Sequence, residues 1–158
     1  MTPLADDLDH IMSVMAAAFD PQFGEAWNRR QVEDALFMGN CHYGLAMDGN
    51  TCAGFFLSRF GFDEEELLLL GVVPAMRRRG HGAALLEQFL AGARFRGATR
   101  ALLEMRQGNS AEILYRKAGF DQVGLRANYY RGKYGERSDA MTFACQLVQN
   151  GDANGYSL

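Results

Sequence analysis

One stretch of the sequence constrains the fold more than any other: an apolar run ending in proline, then a basic loop with glycines, then an amphipathic helix. Leu67–Val73 is a continuous apolar run, which is typical of a strand buried on both faces, and Pro74 ends it. In Gly82–Phe95 the leucines and phenylalanines recur at helical spacing. Arg100–Met105 reads as a short strand. This strand–helix–strand unit predicts a right-handed parallel crossover.

The chain before this unit is predicted to form two helices and a hairpin. Apolar residues recur at helical spacing in Leu8–Phe19, and a second helix is expected over Asn28–Met38. Cys41–Met47 and Cys52–Phe60 are apolar stretches joined by Asp48-Gly49, a strong hairpin signal. Phe62–Glu66 is expected to be a loop or the start of a strand.

The chain after the unit is predicted to form one more helix and two more strands. The helix covers Ser110–Lys117, and the strands cover Phe120–Ala127 and Met141–Leu147, joined by the polar, aromatic stretch Asn128–Asp139. The polar tail, residues 149–158, is expected to be flexible. The element order predicts a single α/β (α+β) domain over residues 1–148 with a mixed sheet.

Composition narrows the classes of function. The formal net charge of −3 gives no general attraction to nucleic acid. We see no secretion signal and no apolar run of the roughly 20 residues that a membrane helix needs, so we expect a cytoplasmic protein without membrane contact. Three cysteines without paired spacing argue against a disulfide framework or a metal site and are expected to be buried free thiols.

The loop between the strand and the helix carries the strongest chemical signal. Arg77–Ala83 reads Arg-Arg-Arg-Gly-His-Gly-Ala. Glycines allow positive φ and close backbone approach, so N–H groups can converge on an anion at the positive end of a helix. The turn lacks the full dinucleotide or P-loop pattern. From these residues alone it is either a diphosphate site or a basic solvated loop.

Two motifs together resemble a known family. Val72–Leu86 looks like the acetyl-CoA motif of the GNAT superfamily of N-acetyltransferases, Gln/Arg-x-x-Gly-x-Gly/Ala, with Arg77, Gly80 and Gly82 at its fixed positions. Leu114–Phe120 is similar to the family's Leu-Tyr-x-x-x-Gly-Phe. The resemblance implies a mostly antiparallel mixed sheet with helices on both faces.

Two further segments resemble the RimI-type subfamily, the bacterial ribosomal-protein alanine N-acetyltransferases. Leu103–Arg106 is similar to its Leu-Glu-Val-Arg and Leu125–Tyr130 to its Arg-x-Asn-Tyr-Tyr. The subfamily resemblance implies transfer of acetyl from acetyl-CoA to a protein N-terminal amine. The alternatives are a small-molecule amine as acceptor, or a non-catalytic protein that binds or senses CoA.

The resemblance also implies a donor site. The strand before the loop would expose its backbone to the pantetheine arm, with the N–H of Val72 stabilising the oxyanion and Gly71 as a bulge residue. Asn109 lies six residues before Tyr115, where the family has seven. His81 is expected to be a solvated loop histidine. The residues implied to bind the donor are Leu70, Gly71, Val72, Arg77, Arg78, Arg79, Gly80, His81, Gly82, Ala83 and Asn109.

Four residues are implied in catalysis and acceptor binding. Glu104 matches the general base of the subfamily, and Tyr115 matches the general acid that protonates the leaving thiolate. Without the resemblance these would be a solvent-facing carboxylate and a core tyrosine. Tyr129 and Tyr130 are expected either to line the acceptor groove or to pack as ordinary strand aromatics. No metal is implied, and the chain could be a monomer or a homodimer.

An acidic run, Asp63–Glu66, precedes the buried strand. Such a run is usually a solvated loop. It could instead attract a cationic amine or a basic peptide.

Overall fold

The computed structural model describes residues 3–147, and the predicted tail lies outside these residues. Within them, the helices begin and end close to the predicted positions, except that the first starts earlier, at Pro3. Asn28 caps the second helix with a reciprocal side-chain bond to Gln31, which explains where that helix begins. The helices are α1 (Pro3–Ala18), α2 (Arg29–Phe37), α3 (His81–Phe95) and α4 (Glu112–Lys117).

Six strands form one mixed sheet in the order β1-β2-β3-β4-β6-β5. Among residues 3–147 the only parallel pair is β3 with β4, which confirms that the crossover through α3 is parallel. The last two strands are longer than predicted, so most of Asn128–Asp139 belongs to strands. The strands are β1 (Cys41–Asp48), β2 (Thr51–Gly61), β3 (Glu64–Val72), β4 (Arg100–Arg106), β5 (Asp121–Arg131) and β6 (Arg137–Gln146).

Helices cover both faces of the sheet, and each face has its own apolar core. α1 and α2 pack on one face, around Ile11, Val14 and Phe55. α3 and α4 pack on the other face, around Phe89, Phe120 and Phe143. The predicted class, an α/β mixed sheet with helices on both sides, is therefore confirmed.

β3 differs from the expected strand in its burial. Its residues alternate between buried and partly buried, whereas a strand buried on both faces was predicted. Two of the partly buried residues, Leu68 and Leu70, line a cavity.

The cysteines are all free, as predicted. Cys52 and Cys145 are buried, but Cys41 is only partly buried because it opens the edge strand β1. No helix in residues 3–147 has the length and apolar character needed to cross a membrane.

Candidate active site

The sheet splits between β3 and β4. Their pairing covers four residues on each strand and ends at Leu67 and Leu103, beyond which the strands diverge. A cavity of about 400 Å³ lies at the open end of the split, with Leu68, Leu70 and Glu104 in its walls. The split provides room for a ligand between two strands that would otherwise be hydrogen-bonded.

A β-bulge marks the point where the strands separate. Leu57 pairs with Leu69 and Ser58 with Leu67, which leaves Leu68 as the extra residue. The prediction of Gly71 as the bulge was wrong, because Gly71 pairs regularly with Phe55. Gly71 instead allows close packing, since a Cβ there would lie 2.9 Å from Cε2 of Phe19.

The backbone of β3 presents hydrogen-bonding groups to the gap. The N–H of Val73 donates to the carbonyl of Ala53 on β2 at 2.8 Å. Backbone groups of successive strand residues point to opposite sides, so the N–H and C=O of Val72 face away from β2, into the gap. The Val72 carbonyl already accepts a 3.1 Å hydrogen bond from Nε of Arg77. The Val72 N–H is thus a group that this geometry offers to a ligand.

The turn after β3 has the backbone geometry of an anion site. Arg78 and Gly80 both adopt left-handed conformations, with φ of 66° and 87°. The N–H of Ala84 donates to the Gly80 carbonyl at 3.0 Å and makes the first bond of α3. The N–H groups of His81, Gly82 and Ala83 therefore have no acceptor within the helix.

Two side chains of the turn are held by the hairpin between β1 and β2. Nη1 of Arg79 lies 3.0 Å from Oδ2 of Asp48, and Nε2 of His81 lies 3.7 Å from the same oxygen. His81 is the first residue of α3 and its side chain is only 17% exposed, so the expectation of a solvated loop histidine was wrong. The cause is its packing beside Asp48, which a reading of the loop alone does not reveal.

Glu104 and Tyr115 come from different elements and line the same cavity. Tyr115, on α4, is 7% exposed, and its pKa is raised far above the usual value, first by burial and then by the charge of Glu25. It therefore keeps its proton over the whole ordinary pH range and can act as a donor. Glu104, on β4, has a side chain that is 22% exposed.

Tyr129, Tyr130 and Asn109 also line the cavity. Burial, followed by the charges of Glu104 and Glu25, raises the pKa of Tyr130 to about 12. The side-chain oxygen of Asn109 accepts a 2.9 Å hydrogen bond from the N–H of Ala111 just before α4. The cavity thus brings together the predicted base, the predicted acid and both predicted groove tyrosines.

The segment between α1 and α2 closes one side of the cavity through contacts that the sequence did not predict. Glu25 contacts Nε of Arg106 at 3.3 Å, and the guanidinium of Arg106 lies 3.6 Å from the ring centre of Phe23. The N–H of Lys133, between β5 and β6, donates to the carbonyl of Gln22 at 2.8 Å. One signal was present: Arg106 is two residues after Glu104, so both side chains emerge on the same face of β4.

The three glutamates of the acidic run form ion pairs within the fold, so the interpretation as a solvated loop was wrong for them, while the attraction of a cationic amine stays a prediction. Glu64–Glu66 belong to β3 at the closed end of the split. Each glutamate pairs with an arginine, and the central one is fully buried. The pairs are Glu64 with Arg100, Glu65 with Arg96, and Glu66 with Arg59.

The split sheet, the glycine-containing turn beside it and the cavity lined by Glu104 and Tyr115 together form the candidate site. Comparison with known proteins makes the class specific. The model of the Acetyltransferase (GNAT) family matches residues 10–120. This chain belongs to the GNAT family and is an N-acetyltransferase, similar to the RimI type.

The relatives support the same placement. The chain is 40% identical over 117 residues to the N-alpha-acetyltransferase RimI of Mycobacterium tuberculosis, covering 71% of this chain and 69% of the relative. It is 36% identical over 107 residues to the [ribosomal protein bS18]-alanine N-acetyltransferase of Escherichia coli, covering 67% and 71%. The crystal structure of the Escherichia coli ribosomal-protein-S18-alanine N-acetyltransferase has the same fold, with a TM-score of 0.80 at 24% identity over 100% of this chain and 95% of that one.

Proposed function

We propose that this protein transfers the acetyl group of acetyl-CoA to the α-amine of a protein N-terminus, with an alanine-leading ribosomal protein as the leading candidate acceptor. The observation that carries the proposal is the cavity at the open end of the split, which holds Glu104 and Tyr115 together. The names of the relatives supply the acceptor class. In this proposal the acetyl group passes directly from bound acetyl-CoA to the bound acceptor. The cytoplasmic location of the protein stays a prediction.

The turn after β3 fits the diphosphate of acetyl-CoA. Three N–H groups at the start of α3 and the left-handed Arg78 and Gly80 form the cradle. Gly82 contributes by its small size, because a Cβ there would lie 3.2 Å from Cδ2 of Leu114. The role we give to Arg77 is to hold the strand end, since its Nε bonds the Val72 carbonyl. Acetyl-CoA supplies an activated acetyl thioester, and the gap between β3 and β4 supplies the place for it.

Three groups of the protein carry the chemistry in this proposal. Glu104 takes a proton from the acceptor ammonium, directly or through a water, so that the amine can attack. The N–H of Val72 donates to the carbonyl oxygen as charge develops on it. The phenol of Tyr115 protonates the departing sulfur, and its raised pKa keeps that proton in place until then.

The acceptor class is tested by a CoA-release assay. The purified protein is given acetyl-CoA with alanine-leading peptides, with the same peptides N-terminally blocked, and with a panel of small amines. We expect turnover with the free peptides only. Faster turnover of small amines would replace the peptide by a metabolite as acceptor, and CoA binding without turnover of any acceptor would favour a CoA-sensing role.

Gly80 provides a test of the diphosphate cradle with a matched control. Gly80 and Gly97 flank α3 with φ of 87° and 90°, and in both cases a Cβ would meet no atom within 4 Å. Substitution by alanine strains each backbone equally, by about 1 kcal/mol. We expect Gly80→Ala alone to raise the KM for acetyl-CoA by about tenfold, because charge-assisted bonds are lost. Equal KM values for the two variants would contradict the cradle.

Tyr115→Phe tests the acid. We expect kcat to fall by roughly a hundredfold, at the low end of acid–base effects, with little change in the KM for acetyl-CoA. The ring and its packing against Phe120, at 6.1 Å between centres, are retained in the variant. Steady-state kinetics with a saturating acceptor provide the measurement, and an unchanged kcat would remove Tyr115 from the mechanism.

A further inference from the structure

The proposed base already has a cation beside it. Nε of Arg126 lies 3.3 Å from Oε1 of Glu104. Arg126 belongs to β5, the edge strand of the sheet, and reaches across β6 to the carboxylate on β4. Its guanidinium also lies 5.0 Å from the ring centre of Tyr129, which lines the cavity.

The contact between Arg126 and Glu104 is an ion pair without a hydrogen bond. Oε1 of Glu104 is shielded from solvent, and no donor among the described residues meets it with hydrogen-bond geometry, Arg126 included. The ion pair of Glu65 with Arg96 shows the contrast, because there two hydrogen bonds of 2.7 and 2.6 Å join the two side chains. Oε1 of Glu104 is thus a buried oxygen that has the positive charge of Arg126 nearby but accepts no hydrogen bond from the described residues.

The Arg126 side chain can move away from Glu104, and the ammonium of the acceptor is a better partner for the carboxylate. The Arg126 side chain is 61% exposed, so moving it into solvent costs little. An ammonium is compact and carries three donors, whereas the guanidinium is planar and keeps its proton at all ordinary pH values. Arg126 can therefore pair with the Glu104 carboxylate, but only the acceptor ammonium can give that carboxylate a proton.

We propose that Arg126 is an internal competitor of the acceptor: its guanidinium covers Glu104 when no acceptor is bound, and the acceptor ammonium displaces it. Displacement exchanges one cation for another, so the carboxylate is never left buried without a counter-charge. The ring of Tyr129 offers the released guanidinium a place at the rim of the cavity. Arg126 then sets the affinity for the acceptor without taking part in the chemistry.

The test is Arg126→Gln, compared with wild type in steady-state kinetics. We expect the KM for an alanine-leading peptide to fall by about two- to fivefold, as the loss of an exposed ion-pair competitor allows. The KM for acetyl-CoA and kcat should stay within about twofold, by the same argument. Methylguanidinium should inhibit the variant competitively with the peptide, and more strongly than wild type, because it fills the vacated position.

A matched control separates this effect from a change in surface charge. Arg30, on α2, is 89% exposed and lies 4.0 Å from Asp34, so Arg30→Gln removes the same charge away from the cavity. Its kinetics should equal those of wild type. Arg126→Lys keeps the charge and should fall between wild type and Arg126→Gln.

The outcomes distinguish this inference from the proposed function on which it rests. Wild type without turnover of any alanine-leading peptide contradicts the proposed function. If wild type turns the peptide over, an unchanged or raised peptide KM in Arg126→Gln overturns the competition. A lower kcat at unchanged KM also overturns it, and makes Arg126 a positioning residue. Calorimetric binding of the peptide to the CoA-loaded protein checks the same affinity change without turnover.

Discussion

Glu104→Gln is expected to lower kcat/KM for peptide acetylation by roughly 10²- to 10⁴-fold at neutral pH, the range of a lost general base. An N-terminal amine has a pKa of about 8 and is mostly protonated at neutral pH, so it depends on the carboxylate to lose its proton. Above that pKa the amine deprotonates on its own. The deficit of the variant should therefore shrink steadily as the pH is raised towards about 9.5.

The measurement is the pH profile of kcat/KM for wild type and variant with one alanine-leading peptide. Glu66→Gln is the control, because Glu66 also lies on a strand in an ion pair, at 3.2 Å from Arg59, but at the closed end of the split. Its profile should follow that of wild type. A Glu104→Gln deficit that is the same at every pH would mean that Glu104 shapes the site and does not move a proton.

Glu65→Ala is expected to lower the free energy of unfolding by about 3–5 kcal/mol, because it removes one partner of a buried ion pair. Glu65 is fully buried and is bound by Arg96 through two hydrogen bonds, while the Arg96 side chain is 25% exposed. Without Glu65 the guanidinium is left largely buried without a counter-charge. For a chain of this size the melting temperature should fall by roughly 10 °C.

Urea unfolding checks this value, with Glu66→Ala as the neighbouring control. The side chains of Glu66 and Arg59 are 39% and 52% exposed, so the loss of that pair should cost less than about 1 kcal/mol. If the cost in Glu65→Ala comes from the stranded charge, then replacing Glu65 and Arg96 together with methionine should recover most of it. A similar loss in Glu65→Ala and Glu66→Ala would show that burial of the pair is unimportant.

Local patterns predicted the elements whose residues alternate between inside and outside. The stripe on α3, the Asp48-Gly49 hairpin and the helix that begins after Asn28 all depend on neighbours along the chain, and all are present. β5 was predicted too short for the same reason. It is an edge strand whose residues are mostly exposed, so its second half shows no alternation that a sequence pattern could reveal.

The site could be predicted only as far as its residues belong to motifs. Glu104 and Tyr115 follow from the family resemblance, and the structure brings them to one cavity. The contacts of Glu25 with Arg106 and of Arg126 with Glu104 join distant parts of the chain. Nothing in their spacing reveals them, because strand order and the split of the sheet decide which charges meet. The acidic run shows the same limit, since all its partners come from other elements.

The hydrogen bonds of Arg77 join two ends of elements that are far apart in the sequence. Arg77 donates to the carbonyl of Val72, at the end of β3, and to that of Ala18, at the end of α1, at 3.1 and 3.3 Å. Both acceptors are neutral carbonyls at the ends of elements, and what they need is an N–H donor of sufficient reach. The guanidinium meets both because Nε reaches one carbonyl and an outer nitrogen, Nη2, reaches the other. A single side chain therefore fastens the end of α1 to the end of β3, at the point where the strand enters the candidate site.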